Sequence, residues 1–228
     1  MTAPSVPAAS VTVRSQDAAE CAPTPVEVKY AEHANIVGRV DQESVPARLA
    51  RDISAVNATQ DAPLTLETLP GRDLDQEELL ALASSIAANP EALAPHIAFD
   101  DEQRHYVSLH RDTHVDVWLL CWTPQNDTGW HDHDISSGAV AVTQGRLVEH
   151  NLAVDGNALE TTIGAGAVYS FGPDHIHRLT GLDAGSVSIH AYSPPLWRMG
   201  QYTLGAGGQL RRKSVSYADE LRPLDDMA

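Results

Sequence analysis

Residues 129–145 have the sequence GWHDHDISSGAVAVTQG, and this stretch says most about the fold. His131 and His133 are two positions apart, and on a β-strand such residues point to the same side. The apolar run Gly138–Thr143 follows and ends at Gln144-Gly145, a pair that indicates a tight turn. The stretch therefore predicts a strand, a turn and two imidazoles directed at one point.

Short β-rich segments lie on both sides of this stretch. Before it, residues 115–122 (VDVWLLCW) are apolar on both faces, which is typical of a central strand. The strands predicted after it are Arg146–Leu152, Ala158–Ile163, Ala167–Phe171, His177–Thr180 and Ser186–Tyr192, with turn signals at Asp155-Gly156 and Gly164–Gly166. Many short strands with frequent turns predict a mainly β domain, an antiparallel sandwich or barrel.

A helical segment precedes the strands. Asp75 and Glu78 have the spacing of a capping pair, and apolar residues then recur on one helical face. Asn89-Pro90 can end this helix and begin a short second one. We divide the 228 residues into an N-terminal extension over 1–62, partly disordered, a helical segment over 63–100, and a β-barrel with a C-terminal strand over 101–228.

Composition excludes several classes of function. The chain has 15 Lys and Arg against 31 Asp and Glu, and this acidic surface argues against binding to nucleic acid or to an anionic membrane. Cys21 and Cys121 do not suggest a disulfide framework. The N-terminus lacks the charged and apolar regions of a signal peptide, and no stretch is long enough for a transmembrane helix. We therefore expect a cytoplasmic protein.

A third histidine completes a possible metal site. His177 lies in the segment GPDHIHRL, after a predicted turn, and can join His131 and His133. Neutral imidazoles bind first-row metals well, and three protein ligands leave positions open for substrate and oxygen. We therefore predict a catalytic metal site at these three residues. Asp132 faces away from its two neighbours on a strand, and we assign it a structural role.

The spacing around these histidines resembles the two cupin motifs. His131, His133 and Gly145 match the first motif, and Gly166–His177 resembles the second, with its lone histidine at His177. The glutamate of the first motif is here Gly138. The resemblance therefore implies three neutral ligands and an open site, unlike a closed structural one.

Four segments make the resemblance more specific. Their order and spacing resemble those of the cysteine dioxygenase family, and the segments are LLCW, HDHDISSG, IHRL and SIHAYSPP. The resemblance covers roughly Leu79–Tyr202. It implies a single cupin (jelly-roll) β-barrel with helices before it. It also implies an Fe(II) site at the three histidines and oxidation of a small thiol by O2 to its sulfinic acid, with both oxygen atoms retained.

The resemblance also assigns a Ser-His-Tyr relay. Ser188, His190 and Tyr192 match its positions, and their spacing places them on one face of a strand. Tyr192 would direct its hydroxyl at the ligands of the iron, His190 would orient that hydroxyl, and Ser188 would orient the imidazole. Some family members link a cysteine to this tyrosine, but the matching position is Gly138, so no such link can form here.

The substrate is less well defined. The arginine with which the family binds the carboxylate of cysteine is replaced by Ser108, and Arg111, three residues later, faces the other side of a regular strand. Because serine does not replace a bidentate arginine, a mercapto acid, cysteamine or ergothioneine are alternatives to cysteine. We consider two further substrate contacts: Trp130, through a cation–π interaction, and His175, two residues before His177.

Two other classes of function remain as alternatives. Three histidines and a water also describe catalytic zinc, so a zinc-dependent hydrolase or lyase could use the same scaffold. A cupin that binds a ligand without catalysis is the other alternative, and the Ser188–His190–Tyr192 pattern argues against it. The expected partners are a small-molecule thiol and O2, and the sequence does not specify an oligomeric state.

Overall fold

The computed structural model describes residues 50–58, 63–152, 158–204 and 209–216. The elements in chain order are β1 (Arg51–Asp52), α1 (Ile53–Ala58), α2 (Gln76–Ala87), α3 (Pro90–Leu93), a 3-10 turn (Ala94–His96), β2 (Tyr106–Arg111), β3 (Asp116–Trp122), β4 (Trp130–Asp132), β5 (Ser137–Gln144), β6 (Arg146–Leu152), β7 (Ala158–Gly164), β8 (Ala167–Phe171), β9 (His177–Gly181), β10 (Ser186–Ser193), β11 (Arg198–Leu204) and β12 (Leu210–Ser216). None of the described helices has the length and apolar character needed to cross a membrane.

The strands form two antiparallel sheets. One has the order β1-β8-β5-β10-β3-β2 and the other the order β12-β11-β4-β9-β6-β7. Side chains from both sheets share one apolar cluster, which includes Val140 of β5, Leu147 of β6, Leu179 of β9 and Met199 of β11. The sheets therefore pack face to face, and the predicted mainly β, jelly-roll fold is confirmed.

A second apolar cluster lies on the outer face of the first sheet. Leu79 and Leu82 of α2 pack there against alternate residues of β3, β5 and β10. Strand β3 is buried along its whole length, since one face meets this helix and the other meets the opposite sheet. This explains why residues 115–122 are apolar on both faces.

The helical segment forms as its local sequence predicts. The Asp75 carboxylate accepts hydrogen bonds from the backbone N–H groups of Glu77 and Glu78, and the Glu78 side chain accepts from that of Asp75. Such a capping box satisfies donors that the first helical turn leaves unpaired. Asn89 caps the following short helix at Pro90.

Packed structure begins before the predicted boundary at residue 62. Arg51 and Asp52 pair with β8, and Ile53 and Val56 are buried in the cluster under α2. The predicted disorder of the first 25 or so residues, Cys21 and the predicted turn at Asp155-Gly156 lie outside the described residues. Cys121 is a free, buried cysteine.

Candidate metal centre

The two motif segments meet because β4 and β9 are neighbours in the second sheet. His131 on β4 lies directly opposite His177 on β9, and His133 follows immediately after β4. The three ring centroids are 4.7–5.0 Å apart, and one nitrogen from each ring lies within 4.8 Å of the others. The structure thus brings the three predicted ligands together at one point.

The nitrogen atoms of this group fit a metal ion. All three histidines are buried, and both ring nitrogens of His133 and the Nε2 atom of His177 have no hydrogen-bond partner among the described residues. Buried polar atoms without a partner are unfavourable unless something binds them. Burial lowers the pKa of His133 well below its usual value, and lowers that of His177 to about 3 despite the nearby Glu149. Neutral imidazoles of this kind are metal ligands.

Hydrogen bonds orient two of the three rings. The Nδ1 atom of His131 lies 3.1 Å from the carbonyl oxygen of Gly129, and the Nδ1 atom of His177 lies 2.7 Å from Oε1 of Glu149. In both rings this leaves Nε2 for the metal, because each Nδ1–H can donate to its oxygen partner.

His133 is oriented by packing. Its ring contacts that of Phe171, at a centroid distance of 4.6 Å, and that of Tyr192, at 5.4 Å, and is tilted by 33° and 29° to them. Near-parallel aromatic contacts of this kind restrict ring rotation. Phe171 therefore contributes to the geometry of the site without offering a ligand atom.

Glu149 is a functional residue that the sequence analysis missed. This glutamate of β6 is 3% exposed and accepts hydrogen bonds from both His177 and His175. Burial alone would raise its pKa, but these two bonds hold the pKa well below its usual value, so it is a carboxylate. A carboxylate–histidine pair behind a metal fixes the tautomer of the ligand and increases its basicity. The signal that could have identified Glu149 is an acidic residue at an inward position of the predicted strand Arg146–Leu152.

At Gly138, where the first cupin motif has its glutamate, the space for a side chain is occupied by a residue of the neighbouring strand β8. Gly138 pairs with Phe171, and a Cβ atom at Gly138 would lie 2.4 Å from the Phe171 ring. No side chain fits there without displacing the ring. The three-histidine arrangement is thus built into the packing of β5 against β8.

The Ser-His-Tyr residues form a connected chain of hydrogen bonds. Ser188 Oγ lies 2.9 Å from His190 Nε2, and His190 Nδ1 lies 3.1 Å from the Tyr192 hydroxyl. The structure adds Trp122, which the sequence assigned only to a strand: its indole N–H donates to Ser188 over 2.8 Å. Burial and the charge of Arg104 lower the pKa of His190 well below its usual value, so its imidazole is neutral.

These contacts favour one arrangement of the protons along the hydrogen-bond chain from Trp122 to Tyr192. Since Ser188 accepts from Trp122, its own proton can go to His190 Nε2. The remaining proton of His190, on Nδ1, then donates to the oxygen of Tyr192. In that arrangement the Tyr192 oxygen accepts from His190 and its own O–H acts as a donor; Tyr192 also lines the adjoining cavity.

A small cavity adjoins the metal centre. His131, His177, His190 and Tyr192 form one part of its wall, and the other part is Thr128 and six apolar residues: Trp118, Leu120, Trp122, Leu179, Leu196 and Met199. Its volume is about 30 Å³, enough for about two or three water molecules. A ligand of the metal would be enclosed there, with limited access to water.

The three predicted substrate contacts are not in this wall. Ser108 is exposed on the edge strand β2, and Trp130 lies on the outer face of β4, edge-on to His150. Trp130 precedes His131, and neighbouring residues of a strand point to opposite sides. His175 contacts Glu149 and stacks on Phe171, so it supports the centre through these two residues and is not part of the cavity wall. The structure thus places none of these three residues in the cavity wall.

Arg111 also differs from the sequence prediction. A β-bulge between Ser108 and His110 shifts the register of β2, so Arg111 pairs with Asp116 and lies on the same face as Ser108. Its guanidinium is 2.8 Å from the buried Asp116 carboxylate and stacks over Trp197. The bulge therefore turns Arg111 inward, and these contacts hold it away from the cavity wall.

Asp132 has the structural role that was predicted. It accepts hydrogen bonds from Arg212 and Tyr202 and from the backbone N–H of Gly200. Burial alone would raise its pKa, but these bonds hold the pKa far below the usual value. The interactions join β4, which carries His131, to β11 and β12.

Comparison with solved structures finds matches of low sequence identity. Solved structures with a similar fold include a conserved protein with a double-stranded β-helix domain from Klebsiella pneumoniae (12% identity, 53% of this chain and 92% of that chain, TM-score 0.40) and a cupin-2 domain protein from Shewanella frigidimarina (14%, 38% and 76%, 0.32). An oxalate oxidase in complex with glycolate is also similar (12%, 43% and 57%, 0.38). A search of curated proteins finds no match.

The sequence itself gives the more specific result. The family model for cysteine dioxygenase type I matches residues 51–204, which span both histidine segments, the relay and Glu149. The match begins at Arg51, the first residue of β1. The chain therefore belongs to the cysteine dioxygenase type I family.

Proposed function

We propose that this protein is an iron-dependent thiol dioxygenase that oxidises a small thiol to its sulfinic acid. The observation that carries the proposal is the buried group His131, His133 and His177 beside a small cavity. Ring nitrogens of His133 and His177 in this group have no hydrogen-bond partner among the described residues. The family match supports the reaction class. The overall reaction, R–SH + O2 → R–SO2H, is balanced without an external reductant.

The proposed metal is Fe(II), held by the three imidazoles. Gly138 and Phe171 leave no room for an acidic fourth ligand, so the protein ligands carry no negative charge. Ferrous iron bound there would supply the charge that acidifies the thiol and the electrons through which dioxygen reacts with sulfur.

The protein's own residues then have distinct roles. Glu149 holds the proton of His177 on Nδ1, which keeps Nε2 available for the metal. Tyr192 lies beside the ligand cavity and donates a hydrogen bond to charge that develops on the reacting oxygen atoms. His190 and Ser188 act as positioning residues, because they fix the direction of that hydroxyl.

The cavity wall supports the same reaction. Trp122, Leu179 and Leu196 enclose the site and limit the water that could intercept a reactive oxygen species. The wall also holds the thiol and O2 close together, which removes much of the entropic cost of their meeting.

The test is anaerobic reconstitution with ferrous iron, followed by oxygen uptake and product mass with cysteine, mercaptopropionate, cysteamine and ergothioneine. We expect one O2 consumed per thiol oxidised, a product with two added oxygen atoms, and no activity of the zinc-loaded protein. His177→Ala should lose iron binding, whereas the control His150→Ala on the same sheet should retain it. Zinc-dependent turnover without oxygen uptake would instead support a hydrolase or lyase.

A further inference from the structure

The cavity wall opposite the metal ligands is apolar, and this limits the kind of substrate that the cavity can hold. This inference rests on the proposed function, since it concerns the part of the thiol that does not bind the metal. That part would meet Trp118, Leu120, Leu196 and Met199, which are all apolar and nearly fully buried. No lysine, arginine, aspartate or glutamate lies among the cavity-lining residues of the described chain.

The polar atoms in this part of the wall already have hydrogen-bond partners in the protein. The Thr128 hydroxyl donates to the carbonyl of Gly129 and accepts from the N–H of Leu179. The indole N–H of Trp122 donates to Ser188, and that of Trp118 donates to Asp116. The apolar part of the wall therefore presents carbon atoms, and the donor in reach of a ligand is Tyr192 on the metal side.

The nearest arginines do not reach the cavity. Arg104 lies over the Trp122 ring at 4.7 Å, and Arg111 lies over Trp197 at 4.4 Å and pairs with Asp116. Neither contributes to the lining. A carboxylate tail would therefore find no cationic side chain in the wall to neutralise it, and an ammonium tail would approach the buried charge of Arg104 as well as the metal.

We propose that the substrate is a small thiol with an uncharged, apolar tail. The small size of the cavity favours a short tail. The sulfur binds at the three-histidine centre, and the alkyl group fills the space between Trp118, Leu196 and Met199. The reaction remains R–SH + O2 → R–SO2H, with R a short alkyl group.

A set of thiols of matched size tests this proposal on the iron-loaded, full-length protein. 1-Propanethiol, 2-mercaptoethanol and cysteamine have the same number of non-hydrogen atoms and differ only in a methyl, hydroxyl or ammonium end. 3-Mercaptopropionate and cysteine supply the carboxylate. We expect kcat/KM for 1-propanethiol to exceed that for cysteamine and for the two carboxylates by about 100-fold, with 2-mercaptoethanol in between.

Leu196→Arg should reverse the preference, because it adds a carboxylate-binding donor to the wall. We expect the ratio of 3-mercaptopropionate to 1-propanethiol activity to rise at least 10-fold, and to stay unchanged in the control Leu210→Arg, on the exposed strand β12. If Leu196→Arg does not fold, the wild-type thiol series decides alone.

The outcomes separate this proposal from the one on which it rests. Oxidation of cysteine or 3-mercaptopropionate with an efficiency equal to or above that of 1-propanethiol would overturn the apolar-tail proposal and leave the dioxygenase intact. Iron binding without oxidation of any thiol would overturn both.

Discussion

Glu149→Gln tests whether the carboxylate behind His177 sets the affinity for the metal. In the structure Oε1 of Glu149 lies 2.7 Å from His177 Nδ1 and 3.1 Å from His175 Nε2, and the side chain is almost completely buried. Glutamine keeps a carbonyl oxygen that can accept the proton of His177. The substitution therefore removes the negative charge with little change in shape.

The expected loss follows from the strength of the bond. Hydrogen bonds to a charged group contribute about 1.5–3 kcal/mol, and bonds between neutral groups about 1 kcal/mol. The difference, about 0.5–2 kcal/mol, corresponds to a metal affinity that is roughly 2- to 30-fold weaker. Glu149→Ala also removes the acceptor, and we expect it to weaken binding by about 100-fold, the upper end for residues that support a metal ligand.

The assay is an anaerobic titration of the apoprotein with Fe(II) or Co(II), in competition with a chelator of known affinity. Glu160→Gln is the matched control, because Glu160 lies on the neighbouring strand β7 with an exposed side chain that pairs only loosely with His150. An unchanged dissociation constant for Glu149→Gln and Glu149→Ala, with folding intact, would refute the reasoning.

Three further predictions follow from the same geometry. Tyr192→Phe should bind iron normally but oxidise thiol about 100-fold more slowly at saturation, measured by oxygen uptake; an unchanged rate would remove Tyr192 from the reaction. Gly138→Ala should lower the free energy of unfolding by about 1–3 kcal/mol in urea titrations, because the added methyl overlaps Phe171. Gly164→Ala, where the methyl would make only an ordinary contact with Arg146, should change it little. Asp132→Asn should cost about 2 kcal/mol at pH 7. Because the pKa of Asp132 is lowered in the folded state, its stabilisation is complete above the unfolded-state pKa of about 3.9 and is lost as the pH falls further, so the difference between Asp132→Asn and wild type should narrow at pH 3; a constant difference would contradict this.

The parts of the fold that depend on local pattern could be predicted from the sequence. Period-two alternation placed His131 beside His133, and Ser188, His190 and Tyr192 on one face of a strand. Capping residues gave the start of α2 at Asp75. Each of these inferences uses residues within a few positions of one another, where backbone geometry decides the outcome.

Contacts between distant strands could not be predicted in this way. Glu149 and His177 are 28 residues apart, and Trp122 and Ser188 are 66 residues apart, so their hydrogen bonds depend on which strands become neighbours. Nothing in the local sequence shows that Phe171 fills the space over Gly138.

A β-bulge in β2 also changed the orientation that the sequence predicts for Arg111. A regular strand would have placed Ser108 and Arg111 on opposite faces, and the one-residue bulge of β2 reverses this. Trp130 lies outside the cavity wall for the opposite reason, since strict alternation on β4 turns it away from the face that carries His131. The identity of the residues near the cavity therefore depends on register, which composition does not specify.

The most direct test of the three-histidine centre is anomalous X-ray scattering at the iron absorption edge, from crystals loaded with Fe(II) without oxygen. We predict one strong peak at bonding distance from a ring nitrogen of each of His131, His133 and His177. A peak between Glu149 and His175, or iron bound to fewer than three of these rings, would contradict the account.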